Sequence, residues 1–240
     1  PLEQMVLDLL TDPSVEIVLQ QTTAAHAVFH YRFVTGPSDS EGADGSDQSI
    51  YDRGEIFFPL EGLAVPLRTA YGLPEFDTLS FETELLLKAY QDLGEIHPRQ
   101  AVIFNPRQGH LAVALWRLFR PTAIDLVDRD LLSLRYAREN LIRGGCPAGA
   151  IGLHHQTELV PAGAEPDLVV GLVREDEGPD AVEATVAQAG KQLVRGGSML
   201  IAGGSTPITR ILKSRAIGTY LRAGKRRRSK GNSSILFQRV

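Results

Sequence analysis

Residues 101–128 constrain the fold of this chain more than any other segment. An apolar run at residues 101–104 breaks into a turn, and leucines at helical spacing follow before a second apolar run at residues 123–127. A strand, a turn, a helix and a second strand that ends in an acid about 20 residues past the turn is the arrangement of a nucleotide-binding β-α-β unit. Asp128 is that acid, and its carboxylate is placed to accept the hydroxyl hydrogens of a ribose. The alternative for Asp128 is a solvated residue at a strand end.

Helical and strand patterns alternate through the rest of the chain from residue 72. Helices are predicted to begin at the capping residues Ser80 and Asp130, and at Pro179, which suits the first turn of a helix. This alternation predicts a parallel sheet with helices on both faces, and a short connection between the last two strands makes the final strand antiparallel. The later strands are predicted at residues 150–154, 167–173, 198–202, 217–222 and 234–239.

The first 70 residues differ from the regular pattern that follows. They combine a helical segment at residues 2–10 with short strand-like runs, and residues 36–48 are rich in Gly, Ser and Asp. Such a composition predicts an acidic loop that cannot bury enough apolar surface to pack. We therefore expect a small α+β N-terminal extension at residues 1–70 and one α/β domain at residues 71–240.

Composition limits the compartment and the partners. The 240 residues include one cysteine, Cys146, which cannot form an internal disulfide, so a reducing cytoplasm is expected. No apolar run approaches the ~20 residues that span a bilayer, and no membrane association is expected. The net charge of -4 requires that any contact with nucleic acid come from a local basic patch. The chain begins with Pro1 rather than Met, which indicates a trimmed chain or part of a longer polypeptide.

Three segments carry a resemblance to a known family. Residues 72–87 place a Pro, an Asp and small hydroxyl residues before a leucine-rich helix. Asp128 is followed by Ala-Arg-Glu-Asn-Leu at residues 137–141, and a Gly-Gly turn at residues 196–197 leads into a strand. These segments resemble class I S-adenosylmethionine-dependent methyltransferases, and most closely the methyltransferase-small-domain family, which includes ribosomal-RNA guanine-N2 methyltransferases. The resemblance covers residues 72–240 and implies a Rossmann-like, seven-stranded, mostly parallel sheet with an antiparallel last strand.

The resemblance also implies S-adenosylmethionine as cofactor and names the residues that would hold it. The family's first-strand motif is Asp-x-Gly-x-Gly-x-Gly, whose glycines let the backbone approach the ligand closely. Here Ile103 stands in place of the acid, and Asn105 and Arg107 replace the first two glycines. Two alternatives stay open for Arg107, which either pairs with the methionine carboxylate or fills the pocket. The implied cofactor-binding residues are Thr83, Asn105, Arg107, Gly109, Asp128 and Arg129.

The fourth-strand motif departs further from the family. Family enzymes carry Asn-Pro-Pro-aromatic there, which holds the weakly nucleophilic amine of the target base in position. Residues 171–176 read Gly-Leu-Val-Arg-Glu-Asp, so no catalytic residue can be named and no guanine-N2 methylation is expected. Two hypotheses follow. The first is a methyltransferase-like protein that acts on RNA, an S-adenosylmethionine-dependent enzyme if active. The alternative is an inactive methyltransferase-fold domain that serves as a binding or structural module.

One strong basic cluster lies near the C-terminus, in the predicted turn between the last two strands. Ligands of such sheets bind at the carboxyl ends of the strands, and the turn is expected at that edge, where the cluster can contact RNA phosphate. The alternative is a solvated loop tip. The predicted RNA-binding residues are Lys225, Arg226, Arg227, Arg228 and Lys230.

Other residues with catalytic or metal-binding chemistry do not form a recognisable site. His154 and His155 are adjacent, and His26 and His30 are four residues apart. Neither pair has a third ligand at a metal-binding spacing, so no metal is expected. A nucleotide-dependent oxidoreductase is a third, weaker hypothesis, which the absence of Gly-x-Gly-x-x-Gly disfavours.

Overall fold

The computed structural model describes residues 11, 13, 15–22, 27–33, 51–60, 63–174, 176 and 178–240. The helix predicted at residues 2–10 and the acidic loop predicted at residues 36–48 lie outside these residues. Within the described ranges, no helix has both the length and the apolar character that crossing a membrane requires.

The chain divides into two compact units, Pro1–Ser49 and Ile50–Val240. The described part of the first unit contains an antiparallel hairpin formed by β1 (Val15–Thr22) and β2 (Ala27–Phe33). The sequence shows strand-like runs at both places, residues 15–20 and 27–34. All residues predicted to bind a cofactor or RNA belong to the second unit.

The second unit is built on a seven-stranded sheet. Its strands are β5 (Gln100–Phe104), β6 (Ala123–Asp128), β7 (Ile151–His155), β8 (Leu168–Leu172), β9 (Ser198–Gly204), β10 (Leu221–Ser229) and β11 (Asn232–Arg239). The strand order is β10-β11-β9-β8-β5-β6-β7, in which β11 is antiparallel to both of its neighbours and the pairs among β5 to β9 are parallel. This arrangement confirms the predicted α/β class and the antiparallel last strand.

Six α-helices are described in this unit. They are α1 (Phe81–Ala89), α2 (His110–Phe119), α3 (Leu131–Arg143), α4 (Pro179–Gln192), α5 (Ser205–Lys213) and α6 (Arg215–Gly218). The predicted caps are confirmed: the Ser80 hydroxyl accepts a hydrogen bond from the Thr83 amide, and the Asp130 carboxylate accepts from the amides that begin α3. Pro179 is the first residue of α4.

Side chains of the sheet alternate between two cores, because successive residues of a strand point to opposite faces. Ala101 and Ile103 of β5 pack with buried residues of α1, α2 and α3. Val102 and Phe104 pack on the other face with buried residues of α4, α5 and α6. Helices therefore cover both faces, which explains why every residue of β8 is apolar or glycine and buried.

A second hairpin, β3 (Asp52–Leu60) and β4 (Leu63–Ala70), belongs to this unit as well. Phe58 of β3 and Leu67 of β4 are part of the core formed by α1, α2 and α3. The compact unit thus begins near residue 50, whereas the sequence places the domain start at residue 71. Compactness and family membership are different criteria, so the boundary at residues 70 and 71 stays a prediction.

The end of the chain differs from the sequence prediction. Residues 215–218 form helix α6, and the strand predicted at 217–222 instead runs from Leu221 to Ser229. The prediction failed because a run of arginines and lysines does not indicate a strand, whereas pairing with the apolar strand β11 makes it one. Most of the basic cluster consequently lies on an edge strand rather than in a turn, and only Lys230 and Gly231 separate β10 from β11.

Candidate functional site

The carboxyl ends of β5, β6 and β8 meet at one edge of the sheet, as parallel strands require. Asp128 ends β6 there, and its side chain is buried with 0% exposure. The Arg174 Nη2 donates to its Oδ1 at 2.7 Å, and the Asp130 amide donates to the same oxygen at 3.1 Å. The Ser133 hydroxyl donates to Oδ2 at 2.7 Å. Both carboxylate oxygens that a ribose would need are therefore engaged by the protein itself.

Arg129 follows Asp128 and also forms an ion pair. Its Nη2 lies 2.5 Å from Oδ2 of Asp176, and both side chains are substantially exposed, 40% and 65%. Arg129, directly after β6, pairs with Asp176, which follows β8. Arg174, which also follows β8, pairs with Asp128 at the end of β6. These two ion pairs bridge across the carboxyl end of β5, which lies between β6 and β8 in the sheet.

The turn after β5 is held by hydrogen bonds to neighbouring backbone. The side-chain amide nitrogen of Asn105 donates a hydrogen bond to the Leu172 carbonyl at 2.7 Å. The Gln108 amide group donates to the Ala70 carbonyl at 3.0 Å and accepts from the Ala70 amide at 3.1 Å. Asn140 donates to the Gln108 carbonyl at 2.7 Å. Asn105 stands where the family has a glycine, and together the three side chains tie the turn to β8, β4 and α3.

Gly109 is required at this turn for a packing reason. Its φ is +92°, and a Cβ atom placed on it would lie 2.8 Å from the Ala137 Cα of helix α3. A contact that short cannot be relieved by rotating a side chain, since it involves backbone. The retained glycine therefore lets the start of α2 pack closely against α3, which is a structural role independent of any ligand.

The Arg107 guanidinium is engaged by two carboxylates and a hydroxyl of the protein. Its Nη1 donates to Oε1 of the buried Glu75 at 2.6 Å and to the Ser80 hydroxyl at 3.0 Å, and its Nη2 lies 3.0 Å from Glu82. The Thr83 hydroxyl donates to the same Glu75 oxygen at 2.6 Å. The Arg107 guanidinium is thus paired with two carboxylates, and the choice between its two alternatives stays a prediction.

Glu75 and His110 form the buried end of this cluster. Burial raises the pKa of Glu75, but the Arg107 charge and hydrogen bonds from Ser80 and Thr83 outweigh it, so the pKa lies below its usual value. Burial, opposed by Glu75 and assisted by Arg107, lowers the pKa of His110 to about 4. His110 is therefore neutral at pH 7. Neither of its ring nitrogens has a hydrogen-bond partner among the described residues.

The local backbone is constrained at three of these positions. Glu75, Asn105 and Arg107 have φ values of 68°, 50° and 54°, in the left-handed region that non-glycine residues seldom adopt. The hydrogen bonds of their own side chains hold them there. Strained backbone that clusters at one place is typical of a functional site or of its remnant.

A small cavity lies at the carboxyl ends of β5 and β8, and Asn105 is the one predicted cofactor-binding residue among those that line it. It is lined by Asn105, Val173 and Arg174 among other residues, and its volume is about 10 Å³. Pockets that bind small ligands have volumes of roughly 300–1,000 Å³. This cavity alone therefore cannot hold a cofactor, and the Asp128 oxygens and the Arg107 guanidinium, which a cofactor would contact, are engaged by other side chains of the protein. The six predicted cofactor-binding residues lie around this edge, but their assignment to a cofactor stays a prediction.

Sequence reasoning missed Arg174 and Glu75. Arg174 was noted only as a departure from Asn-Pro-Pro-aromatic, and Glu75 only as part of a family-like segment. Part of a signal for Arg174 was present in the opposite charges that follow the predicted strands, but the order that places β6 and β8 on either side of β5 comes from the structure. No comparable signal exists for Glu75, because the contact depends on how the loop before α1 folds back.

The basic strand β10 divides its charges between its two sides. Arg227 and Lys225 both form ion pairs with Asp92, at 2.5 Å and 2.7 Å. These contacts lower the pKa of Asp92 to about 2, chiefly through the hydrogen bond from Arg227. The Lys230 ammonium lies 4.0 Å from the centre of the Phe81 ring, a cation-π contact.

Arg226 and Arg228 line a separate cavity of about 530 Å³ beside α5. Its walls also include Ser205, Thr209 and Lys213. The cavity is at the carboxyl edge of the sheet, because Asn232 at the start of β11 pairs with Gly204 at the end of β9. The end of β10 reaches this edge, but most of the cluster lies on a strand rather than in the predicted turn, and its assignment to RNA stays a prediction. Among the described residues, no group of three His, Cys, Asp or Glu side chains is placed to hold a metal.

Comparison with known proteins identifies the fold. No protein-family model matches the chain, and no curated protein matches it. The chain is similar to the ribosomal protein L11 methylase of Lactobacillus delbrueckii subsp. bulgaricus, with a TM-score of 0.56 and 16% identity, and the match covers 66% of this chain and 78% of that one.

Two further solved structures show the same likeness. The 16S rRNA N2 G1207 methyltransferase (RsmC) of T. thermophilus, in complex with AdoMet and guanosine, has a TM-score of 0.54 and 21% identity, covering 77% of this chain and 44% of that one. The N-methyltransferase NodS of Bradyrhizobium japonicum WM9, in complex with S-adenosyl-L-homocysteine, has a TM-score of 0.52 and 14% identity, covering 66% and 85%. At these identities the likeness shows the fold, which is the Rossmann-like methyltransferase fold. Membership of the methyltransferase-small-domain family stays a prediction.

Proposed function

We propose that this protein is an RNA-binding domain with a methyltransferase fold, in which the protein's own side chains take the place of S-adenosylmethionine. The observation that carries this proposal is the buried ion pair between Asp128 and Arg174. A cofactor ribose would have to displace the Arg174 guanidinium and so break a hydrogen bond between charged groups, which contributes ~1.5–3 kcal/mol. Arg107, locked between Glu75 and Glu82, opposes the cofactor in the same way.

RNA is the partner that the surface supports best. Among the described residues, Arg226 and Arg228 have no carboxylate partner, and they lie at the edge where such folds bind ligands. One of the structurally similar proteins is named as a 16S rRNA methyltransferase and another as a methylase of a ribosomal protein. Ribosomal RNA is therefore the first candidate to test. A cytoplasmic location remains part of the proposal.

A second candidate is methyl transfer itself. It is supported by the position of Asp128 at the end of the second strand of the β-α-β unit, and by the methyltransferases among the similar structures. In this candidate the Arg174 side chain, which is 25% exposed, moves away from Asp128 when the cofactor binds. The two candidates differ in one measurable property, the affinity for the cofactor.

Isothermal titration with S-adenosylhomocysteine separates them. Under the RNA-binding proposal, wild-type protein shows no binding at millimolar ligand, and ribosomal RNA receives no methyl group in a radiolabel assay. RNA binding is measured in parallel by fluorescence anisotropy. Micromolar binding of S-adenosylhomocysteine, weakened by ~1–3 kcal/mol in Asp128→Asn, would instead establish the second candidate. Absence of RNA binding at low salt would reject the RNA part of the proposal.

A further inference from the structure

The cavity between α5 and β10 combines several cations with hydroxyl groups. Arg226 donates through Nη2 to the hydroxyls of Thr209 and Ser233, at 2.8 Å and 3.0 Å. Its Nε is buried and has no partner among the described residues. The Ser205 hydroxyl lies 2.8 Å from the Ser233 hydroxyl, so the polar lining is continuous from α5 to β11.

The charges of this cavity are not balanced. Arg228 and Lys213 form no ion pair with any described residue, and Arg226 has only hydroxyl partners. Arg210 is the exception, since it pairs with Asp180 and Glu183 on the neighbouring helix α4. Three cations at one cavity therefore lack a counter-charge in the described part of the protein.

An anion would relieve this imbalance. Partial burial and the nearby charge of Arg228 lower the pKa of Arg226, which reports that its cationic form is held at a cost. Guanidinium groups bind phosphate oxygens through parallel hydrogen bonds, and hydroxyls add further donors. The volume of about 530 Å³ exceeds what one phosphate group needs and leaves room for an adjoining nucleotide.

We propose that the cavity formed by Arg226, Arg228, Lys213 and the hydroxyls of Thr209 and Ser205 binds a phosphodiester group of RNA. This inference rests on the proposed RNA-binding function and narrows it to a subsite. Lys225 and Arg227, on the same strand, serve instead to attach β10 to Asp92. The cavity is placed to receive the RNA backbone at the carboxyl edge of the sheet, next to the turn at residues 230–231.

The test compares arginines of the same strand. Wild type, Arg228→Gln and Arg222→Gln are titrated with a labelled single-stranded RNA oligonucleotide at two salt concentrations. Arg222 is also exposed, and it lies about 20 Å from Arg228 along the strand. We expect Arg228→Gln to weaken binding about fivefold at 0.1 M salt and to reduce the salt slope by about 0.7, whereas Arg222→Gln matches wild type. Arg226→Gln should act like Arg228→Gln, with thermal unfolding as a check because Arg226 also contacts Thr209 and Ser233.

The outcomes separate the subsite from the function. If wild type binds RNA and Arg228→Gln and Arg222→Gln behave alike, the subsite is rejected while RNA binding stands. If wild type binds no RNA, the proposed function is rejected as well. Inorganic phosphate and ATP are titrated into the free protein at matched ionic strength. If either ligand binds the free protein more tightly than the RNA oligonucleotide does, and Arg228→Gln weakens that binding, the cavity takes a free phosphate or nucleotide, and the RNA source is rejected.

Discussion

Two regions at the same edge of the sheet use their charges in opposite ways. Around Asp128, acids and bases are matched: Asp128 with Arg174, and Arg107 with Glu75 and Glu82. The adjoining cavity has a volume of about 10 Å³. Around Arg226 and Arg228 the cations face hydroxyls, and the cavity has a volume of about 530 Å³.

The difference teaches where a partner can bind. Ion pairs that are complete within the protein must be broken before a ligand can use either member, and breaking a buried pair is costly. Cations without a counter-charge gain from an incoming anion and lose little. The region around Asp128 has its charges paired within the protein, although its place in the fold is the one that ligands of such sheets occupy. The cavity beside α5 is not that usual ligand position, but it contains the cations that have no counter-charge among the described residues.

The largest expected effect comes from breaking the pair at Asp128. Arg174→Met keeps the aliphatic part of the side chain but leaves a carboxylate that is 0% exposed without its cation. We expect the free energy of unfolding to fall by ~3 kcal/mol, measured by urea denaturation. Arg129→Met is the matched control, because its ion pair with Asp176 is exposed and should contribute ~1 kcal/mol or less.

Adding Asp128→Asn to Arg174→Met should recover part of the loss, since it removes the unpaired charge. An Arg174→Met protein as stable as wild type that binds S-adenosylhomocysteine would contradict the comparison. Arg174 would then be a movable group over a working cofactor site.

The fold could be predicted well from the sequence, because it depends on repeated local patterns. The apolar run at residues 167–173 predicted a strand that is buried on both faces, and Asp130 and Ser80 predicted helix starts. All three predictions are correct because many neighbouring residues of the sequence contribute to the same local pattern. The bounds of β10 were predicted wrongly because its residues carry no apolar pattern, and its pairing with β11 is a tertiary effect.

The candidate site was less predictable, since it depends on which charged atoms meet. Asp128 was placed at the correct strand end, but its engagement by Arg174 could not be read from either segment alone. Likewise, Lys225, Arg226, Arg227 and Arg228 look equivalent in sequence. Their division arises from strand alternation and from the position of Asp92, which is far away in the chain.

A smaller effect is expected within β10, on the side of the strand that is paired. Asp92→Asn removes the partner of Arg227 and Lys225 from a side chain that is only 4% exposed. We expect the free energy of unfolding to fall by ~1–3 kcal/mol. RNA affinity should not fall, because the two released cations add to the basic surface. Asp77→Asn is the control, since its ion pair with Arg53 is half-exposed and should contribute ~1 kcal/mol or less.

The stability that the ion pairs of Asp92 contribute depends on pH. The pKa of Asp92 is lowered from 3.8 to about 2 in the folded protein, so its contribution is complete above pH 4 and is lost as the pH falls towards 2. Wild type should lose stability in that window and Asp92→Asn should lose less. Equal losses in both proteins, or a loss of RNA affinity in Asp92→Asn, would place Lys225 and Arg227 with the binding residues instead.

The smallest effect concerns His110, beneath the matched charges of Glu75 and Arg107. Its pKa is lowered from 6.5 to about 4, so between these values the unfolded chain takes up a proton that the folded protein refuses. Stability therefore falls as the pH drops from 6.5 towards 4, by up to ~1.4 kcal/mol per pH unit from this one group. His110→Phe should flatten that slope and leave stability at pH 7 within ~1.5 kcal/mol, because the ring packs edge-on against Phe58.

His97→Phe, at an exposed position, controls for the loss of a histidine and should keep the wild-type slope. NMR titration of the imidazole resonances gives the pKa directly. A His110 pKa near 7 would contradict the interpretation, because an acid–base group that titrates at working pH beside Glu75 is what a catalytic site uses. A neutral, unresponsive His110 fits a region whose charges are already matched and which contributes packing rather than chemistry.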